Sequence, residues 1–369
     1  MDGIHLNNKV GIVGGGITGL ISAYFLSLEG YEVDLYEKKT LLSETSSKTT
    51  KLIHGGIRYL ENLQFYEVKN GINDRKWWLE NFPNQTKLQE IIILSKKRLS
   101  PEILKFFVGI KVYETFAGRS NIKTGRFYKQ DDLLSFGIKN NITAGISFYD
   151  GLMQESVGQE IIKRCKSNGV NFFENNEIKS IRSEGYIEEK QYKKIIIATG
   201  PWVSSFLKQN KIHTNKTIDY IKGSHLVINR KMKNGFMFRD QKKQRYIFAL
   251  PYEGNLLLGT TEQRVSTPED KEILDSEVNY LLESINIYID RPINKDEIIE
   301  SYAGVRPLIK SKAKDFHSSS RDFYIQKDKN LLSLFGGKWT TAPSIARNIV
   351  RIVNNCLLYT SDAADDMFR

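Results

Sequence analysis

The sequence predicts an α/β fold, and three observations carry that expectation. Val10 to Val13 is an uninterrupted apolar run that ends in Gly14-Gly15-Gly16, as a buried parallel strand does. Ile17 to Leu28 then reads as a helix with small residues on one side, and after Gly30 the stretch Tyr31 to Tyr36 alternates into a second strand. Far downstream, Ile195 to Ala198 is another apolar run broken by Thr199-Gly200-Pro201, whereas Ile218 to Asn229 and Tyr246 to Thr260 read as strands of an antiparallel sheet. The first unit is a compact strand–helix–strand.

The remaining elements follow in order. Leu41 to Thr50 is rich in Ser and Thr and reads as a loop; Leu60 to Asn81 reads as a helix carrying Phe65, Trp77 and Trp78. Ile91 to Ser95 reads as a strand, and residues from Pro101 to Asn141 as mixed helix and loop. Met153 to Ser167 has the period of an amphipathic helix, followed by a short strand, Val170 to Phe173. Pro251-Tyr252-Glu253-Gly254 reads as a turn between two strands. Asp270 to Tyr288 is expected to be helical, Leu331 to Phe335 a strand running into Gly336-Gly337, and Thr340 to Asn354 the last helix.

A length of 369 residues suggests about two domains. Hydrophobic residues at 40% and charged residues at 26% argue against disorder. The net charge of +11 suits a partner bearing phosphates or anionic headgroups. No block of Lys/Arg interleaved with aromatics marks a nucleic-acid surface, so none is expected as partner. The two cysteines, Cys165 and Cys356, have neither metal-like nor redox-like spacing, so no metal site or disulfide framework is expected, and a reducing compartment fits. Gly11 to Leu26 is too short and glycine-rich to span a bilayer. The expected location is cytoplasmic, with contact at the cytoplasmic membrane face left open.

Gly14, Gly16 and Gly19 form a G-x-G-x-x-G set between a strand and a helix, the context that gives the motif its meaning. Gly14 permits the tight turn, Gly16 lets a pyrophosphate approach the backbone, and Gly19 allows close helix–strand packing. The helix N-terminus offers N–H groups and a positive dipole to the anion. Glu37 ends the second strand, where an acid would grip a ribose hydroxyl. NAD and FAD share this fingerprint, so the motif alone does not choose between them.

The stretch from Ser43 to Glu61, including Lys51-Leu52-Ile53-His54-Gly55-Gly56-Ile57-Arg58-Tyr59-Leu60, resembles the signature of the FAD-dependent glycerol-3-phosphate dehydrogenases, within the wider group of FAD-dependent amino-acid-oxidase-like oxidoreductases. The resemblance resumes at Tyr149-Asp150-Gly151, Ala198-Thr199-Gly200-Pro201-Trp202-Val203, Lys222-Gly223-Ser224-His225, Leu250-Pro251-Tyr252 and Gly259-Thr260-Thr261. It continues at Gly304-Val305-Arg306-Pro307-Leu308, Ser320-Arg321-Asp322 and Phe335-Gly336-Gly337-Lys338-Trp339-Thr340-Thr341. Each piece is short; their order and number make the match specific.

The resemblance implies FAD as cofactor and the oxidation of sn-glycerol 3-phosphate to dihydroxyacetone phosphate, with hydride passing to flavin and electrons on to a quinone or another acceptor. The hydroxyls of Ser46, Ser47, Thr49 and Thr50 suit phosphate and flavin oxygens. Gly200 brings a strand end to the cofactor. Gly336 and Gly337 let backbone approach the ring, and the helix beginning near Thr340 and Thr341 points positive field at it. Arg58, Tyr59, Arg306, Arg321 and Lys338 match the positions that surround substrate in that family; guanidinium forks bind phosphate oxygens in two-point fashion and Lys adds a point charge. A base must take the hydroxyl proton, and among five histidines His225 and His54 lie inside the matching motifs. Arg306 could instead polarise the hydroxyl oxygen.

The family also implies a Rossmann-like FAD-binding domain with an inserted α+β substrate domain on a mostly antiparallel sheet. The expected division is 1–64, 149–212 and 302–355 for the cofactor domain, and 81–141 and 220–300 for the substrate or cap domain. Three departures stand out. The family usually continues into a helical C-terminal domain; Glu262 stands where it commonly has Asp; and Ile17 to Leu28 looks closer to the amine- and amino-acid-oxidising relatives. The tail from 356 to 369 does not continue the preceding helix pattern, and its back-translation can match a sequencing-library adapter, so a non-native tail is expected there. Two other functions stay open: an FAD oxidase of an amino acid or 2-hydroxy acid, and a truncated or non-catalytic flavin-binding protein. Oligomeric state and the mode of FAD attachment stay open as well.

Overall fold

The computed structural model describes residues 8–57, 65–97, 101–117, 123–240, 245–310 and 323–354. Arg58, Tyr59, Arg321 and the tail lie outside the described residues. The chain opens with β1 (Lys9–Val13), α1 (Ile17–Leu28) and β2 (Glu32–Tyr36). The parallel register Val10↔Val33 and Ile12↔Leu35 leaves all four side chains with no exposed surface, which is why the Val10 to Val13 run lacks polar alternation; β2 alternates, and its Asp34 is buried as well.

Next come β3 (Leu52–Ile53), α2 (Phe65–Asn81), β4 (Thr86–Ser95), α3 (Pro101–Ala117), β5 (Phe127–Lys129), α4 (Gln130–Ser135) and β6 (Ala144–Met153). The chain then returns to the first sheet through α5 (Val157–Ser167) and β7 (Asn171–Phe173). Three short strands, β8 (Ile181–Arg182), β9 (Tyr186–Ile187) and β10 (Lys190–Gln191), make a small sheet before β11 (Lys194–Ile197). After α6 (Val203–Gln209) run β12 (Ile218–Ile228), β13 (Gly235–Asp240), β14 (Arg245–Tyr252), β15 (Asn255–Gly259) and β16 (Gln263–Val265). The chain closes with α7 (Asp275–Asn286), β17 (Ile298–Ile309), β18 (Phe323–Asp328), β19 (Leu331–Gly336) and α8 (Ala342–Val353).

Two large sheets result. The first has the order β18-β19-β11-β1-β2-β7 and is parallel except for β18. The apolar face of α1 (Leu20, Ala23) packs with Ile345, Ala346 and Ile349 of α8 in one core beside it. The second sheet has the order β16-β12-β15-β14-β13-β4-β6-β3, with β17 paired to β12 and β5 to β6. Its pairs are antiparallel except β13 with β4, so the mostly antiparallel expectation holds.

The central strands of this second sheet, β4, β6, β13 and β14, are buried on both faces. Ile92 and Leu94 join a core with Leu281 and Ile285 of α7, while Ile91 and Ile93 join another with Phe106 and Ile110 of α3. Double burial explains why β4 shows no alternation. It also explains why β6 was not legible as a strand: its polar Asp150 is accommodated by buried partners rather than by water. The helix expected from Met153 starts at Val157, because Met153 ends β6 and pairs with Thr86. β17 pairs with β12 from Ile218↔Ile309 to Ile228↔Ile298, so the chain after Tyr302 first serves the larger sheet and enters the smaller one at β18. We propose that the two sheets mark a cofactor-side and a substrate-side unit, divided along the discontinuous boundaries given above.

Candidate active site

One cavity of about 910 Å³ runs from the glycine turn after β1 to the face of β12, near the upper end of the roughly 300–1,000 Å³ typical of ligand sites. At its first end Gly14 adopts φ +112°, and a Cβ there would lie 2.4 Å from the Ala198 carbonyl oxygen. A Cβ on Gly19 would lie 1.9 Å from the Gly14 oxygen, so α1 sits against β1 only because position 19 has no side chain. Gly16 precedes α1, and its missing Cβ would meet only the Ser46 hydroxyl, at 3.1 Å. The turn is therefore open on the side where a pyrophosphate would lie.

Glu37 lines this end and is already engaged. Its Oε2 accepts the Gly15 N–H at 2.7 Å and its Oε1 accepts the Lys39 N–H at 2.8 Å. Each oxygen keeps a second lone pair for a ribose hydroxyl. Ser46 Oγ accepts the Ile17 N–H at 3.0 Å, capping α1 from the Ser/Thr loop. Ser47 does not line the cavity; its hydroxyl donates to the Glu44 and Ser43 carbonyls at 2.9 and 3.3 Å. Thr49 and Thr50 do line it.

At the middle, Gly200, Gly336 and Gly337 line the cavity with φ of +55°, +70° and +85°. Thr199 Oγ1 is buried there without a hydrogen-bond partner, a polar atom that a bound cofactor would satisfy. Thr340 and Lys338 also line it, whereas Thr341 does not. The Thr341 hydroxyl instead accepts the Lys338 N–H at 2.9 Å and donates to its carbonyl at 3.0 Å, closing the turn that presents Lys338. The glycine cradle, the Glu37 carboxylate and the unpartnered threonine fit a flavin dinucleotide.

The far end carries the candidate chemistry. Ile221, Gly223 and His225 of β12 face the cavity, as alternate residues of one strand must. His225 is 3% exposed, stacks on Tyr302 at 5.0 Å, and its Nε2 is 2.9 Å from the Thr50 hydroxyl. Its pKa falls to about 3, first through burial and then through the positive charges of Arg306, Lys51 and Arg245. Arg306 lines the cavity with its Nη2 3.4 Å from the Thr261 carbonyl oxygen. A Cβ on Gly223 would lie 2.4 Å from that Nη2, so glycine is what admits the guanidinium.

His54 lines the cavity on a turn held from behind. Asp150 Oδ1 accepts the Gly55 N–H at 3.0 Å, the Tyr113 hydroxyl at 2.7 Å and Arg75 Nη1 at 2.9 Å, with all three side chains at least 97% buried. The structure thus gathers His225, His54, Arg306 and Lys338 around one cavity; Arg58, Tyr59 and Arg321 fall outside the described residues. It adds Arg239 and Arg245, brought in by the β13–β14 hairpin, and Lys48. Glu262, at the position of the expected Asp, lines the cavity with Oε2 3.9 Å from Arg245 Nη2. No motif marked these arginines; only the hairpin register places them.

Comparison with known proteins agrees with this geometry. A family model described as FAD dependent oxidoreductase matches residues 9–352. A glycerol-3-phosphate dehydrogenase of Pseudomonas tolaasii is 28% identical over 92% of this chain and 70% of its own length. An aerobic glycerol-3-phosphate dehydrogenase of Staphylococcus epidermidis is 31% identical over 93% of this chain and 66% of its own length. The chain therefore spans about two thirds of the length of these curated relatives. The solved L-alpha-glycerophosphate oxidase of Mycoplasma pneumoniae superposes with a TM-score of 0.75 over 96% of both chains at 22% identity, a likeness of fold. The chain belongs to the FAD dependent oxidoreductase family.

Proposed function

We propose that this protein oxidises the secondary alcohol of sn-glycerol 3-phosphate to the ketone of dihydroxyacetone phosphate. The observation that carries the reading is the neutral, buried His225 on a cavity wall that also carries Arg306 and Arg245. A phosphate dianion would sit where the cations converge, with Arg306 offering a two-point fork and Lys338 a point charge. FAD, when bound, supplies the acceptor for the carbinol hydride. The chain's own task is the proton: His225 takes it from the hydroxyl oxygen as the C–H electron pair departs. A histidine held near pKa 3 is a weak base: burial is the first cause, and the neighbouring cations are the second. A dianion bound against Arg306 and Arg245 would offset only the second, raising the basicity of His225 part of the way. Lys338, Thr49 and Thr50 on the cofactor side, and Arg58, Tyr59 and Arg321 by resemblance, complete the proposed set, with His54 the alternative base.

We place the electron acceptor at a membrane surface, as a quinone. No helix among the described residues is long and apolar enough to cross a bilayer. Instead α3 buries Ile103, Phe106 and Ile110 and turns Leu104, Phe107 and Val108 outward, 65%, 45% and 55% exposed, beside Lys105 and Lys111. Such a face suits shallow contact with anionic headgroups.

Anaerobic mixing of the purified holoprotein with glycerol 3-phosphate tests the reaction. Bleaching of the oxidised-flavin absorbance by glycerol 3-phosphate, with none by an amino-acid or 2-hydroxy-acid panel, is expected. Bound flavin that stays oxidised would overturn the substrate assignment.

A further inference from the structure

β12 carries a second set of residues on the face turned away from the cavity. Lys222 is 2% exposed and Ser224 is fully buried. Both reach Glu277, in the first turn of α7. Lys222 Nζ lies 2.8 Å from Glu277 Oε2, which also accepts the Leu274 N–H at 3.1 Å. Glu277 Oε1 accepts the hydroxyls of Ser224 and Thr261, each at 2.8 Å. Lys222 Nζ donates again to the Glu272 carbonyl at 2.6 Å. Every lone-pair direction of the carboxylate is thus used by one of four donors.

Thr261 is the link to the cavity. It is 4% exposed and locked to β12 from both sides of its peptide: its Oγ1 accepts the Ser224 N–H at 2.9 Å and its N–H donates to the Ser224 carbonyl at 3.1 Å. Its own carbonyl oxygen accepts Arg306 Nη2 at 3.4 Å and the Thr260 hydroxyl at 3.0 Å. There is no slack on the other side. A Cβ on Gly223 would lie 2.4 Å from both Arg306 Nη2 and Thr260 Oγ1, so these groups rest directly on the strand backbone. Fixing the Thr261 peptide therefore fixes where the guanidinium and the Thr260 hydroxyl sit.

We infer that the buried Lys222–Glu277 ion pair is a positioning device: through Thr261 it holds Arg306 and Thr260 at the substrate end of the cavity. The function of Arg306 as the anion-binding group rests on the reading in the preceding subsection. A buried ion pair is a poor source of stability, since well-packed apolar residues often replace it without loss, whereas removing one partner is costly. Its value here is direction: a carboxylate with four fixed donors cannot let Thr261 drift.

The test uses the FAD-saturated full chain. Glu277→Gln alone strands a buried ammonium and is expected to lower the melting temperature. The double variant Lys222→Met/Glu277→Leu removes both charges and is expected to recover it. If the pair positions Arg306, the recovered double variant keeps a Michaelis constant for glycerol 3-phosphate raised by about ten-fold or more, with kcat changed less than about three-fold. Thr261→Val, which cuts the link, is expected to raise the Michaelis constant similarly in the wild-type background and to add little in the double variant. A double variant with wild-type melting temperature and wild-type Michaelis constant would overturn the inference and leave the pair a packing feature. A crystal structure of the double variant decides the question independently of substrate. Arg306 still against the Thr261 carbonyl refutes positioning, and a displaced guanidinium supports it. If the wild-type enzyme ignores glycerol 3-phosphate, the substrate assignment fails while this structural comparison still stands.

Discussion

Acidification tests the electrostatics of the site directly. His225 has a folded pKa of about 3, against 6.5 for an unperturbed imidazole. The folded protein keeps it neutral, whereas the unfolded chain protonates it below 6.5. Below that pH the unfolded state binds the extra proton, so stability falls as pH falls; above 6.5 the contribution is fully present. At pH 5 the unfolded side chain lies 1.5 pH units below its pKa, so about 2 kcal/mol is lost relative to neutral pH. That figure depends on the unfolded value, not on how deep below 5 the folded one lies. The assay is urea unfolding of FAD-saturated wild type and His225→Gln at pH 7.5 and 5, with FAD held in excess because ligand shifts stability by mass action. Wild type is expected to lose about 2 kcal/mol more than the variant on acidification. Asp74, raised to about 6 by burial despite Ser344 and Arg347, works in the opposite direction, but it is common to both proteins and cancels. Equal losses in the two proteins would show that His225 is not a buried neutral imidazole, and the base assignment would fall with it.

Other outcomes follow from single contacts. Gly19→Ala places a methyl 1.9 Å from the Gly14 oxygen and is expected to cost roughly 1–3 kcal/mol with release of FAD; a yellow, fully loaded variant would contradict the cradle. Arg306→Lys keeps the charge but loses the fork, and the Michaelis constant for glycerol 3-phosphate is expected to rise about ten-fold or more at unchanged flavin content. Asp150→Asn leaves the Arg75 guanidinium buried without its counter-charge and is expected to cost roughly 3–5 kcal/mol in urea unfolding. Phe107→Glu on the outward face of α3 is expected to weaken sedimentation with anionic liposomes while leaving turnover with a soluble dye acceptor unchanged; undiminished sedimentation would remove α3 as the contact.

What was legible in the sequence was local. The β1–α1–β2 unit and the glycine motif depend on neighbours within some thirty residues, where an apolar run, a missing Cβ and a helix start are each written in one-dimensional order. Family motifs likewise marked His225, Arg306, Lys338 and the Gly336-Gly337 turn, and the structure brings them to one cavity. Glu37, by contrast, carries a structural duty that no pattern announced, binding the Gly15 N–H across the turn.

The sequence by itself determined that a dinucleotide site opens the chain and which residue types could meet an anion. Tertiary structure alone decided which of them meet. β6 was invisible because both its faces are buried and its Asp150 is neutralised by Arg75, a partner 75 residues away. Arg239 and Arg245 enter the cavity by hairpin register, and Lys222 finds Glu277 across 55 positions of chain, neither of which leaves a periodic trace. The physical reason is the same in each case: a charge survives burial only beside a specific partner, and the identity of that partner is set by how strands pair and helices pack.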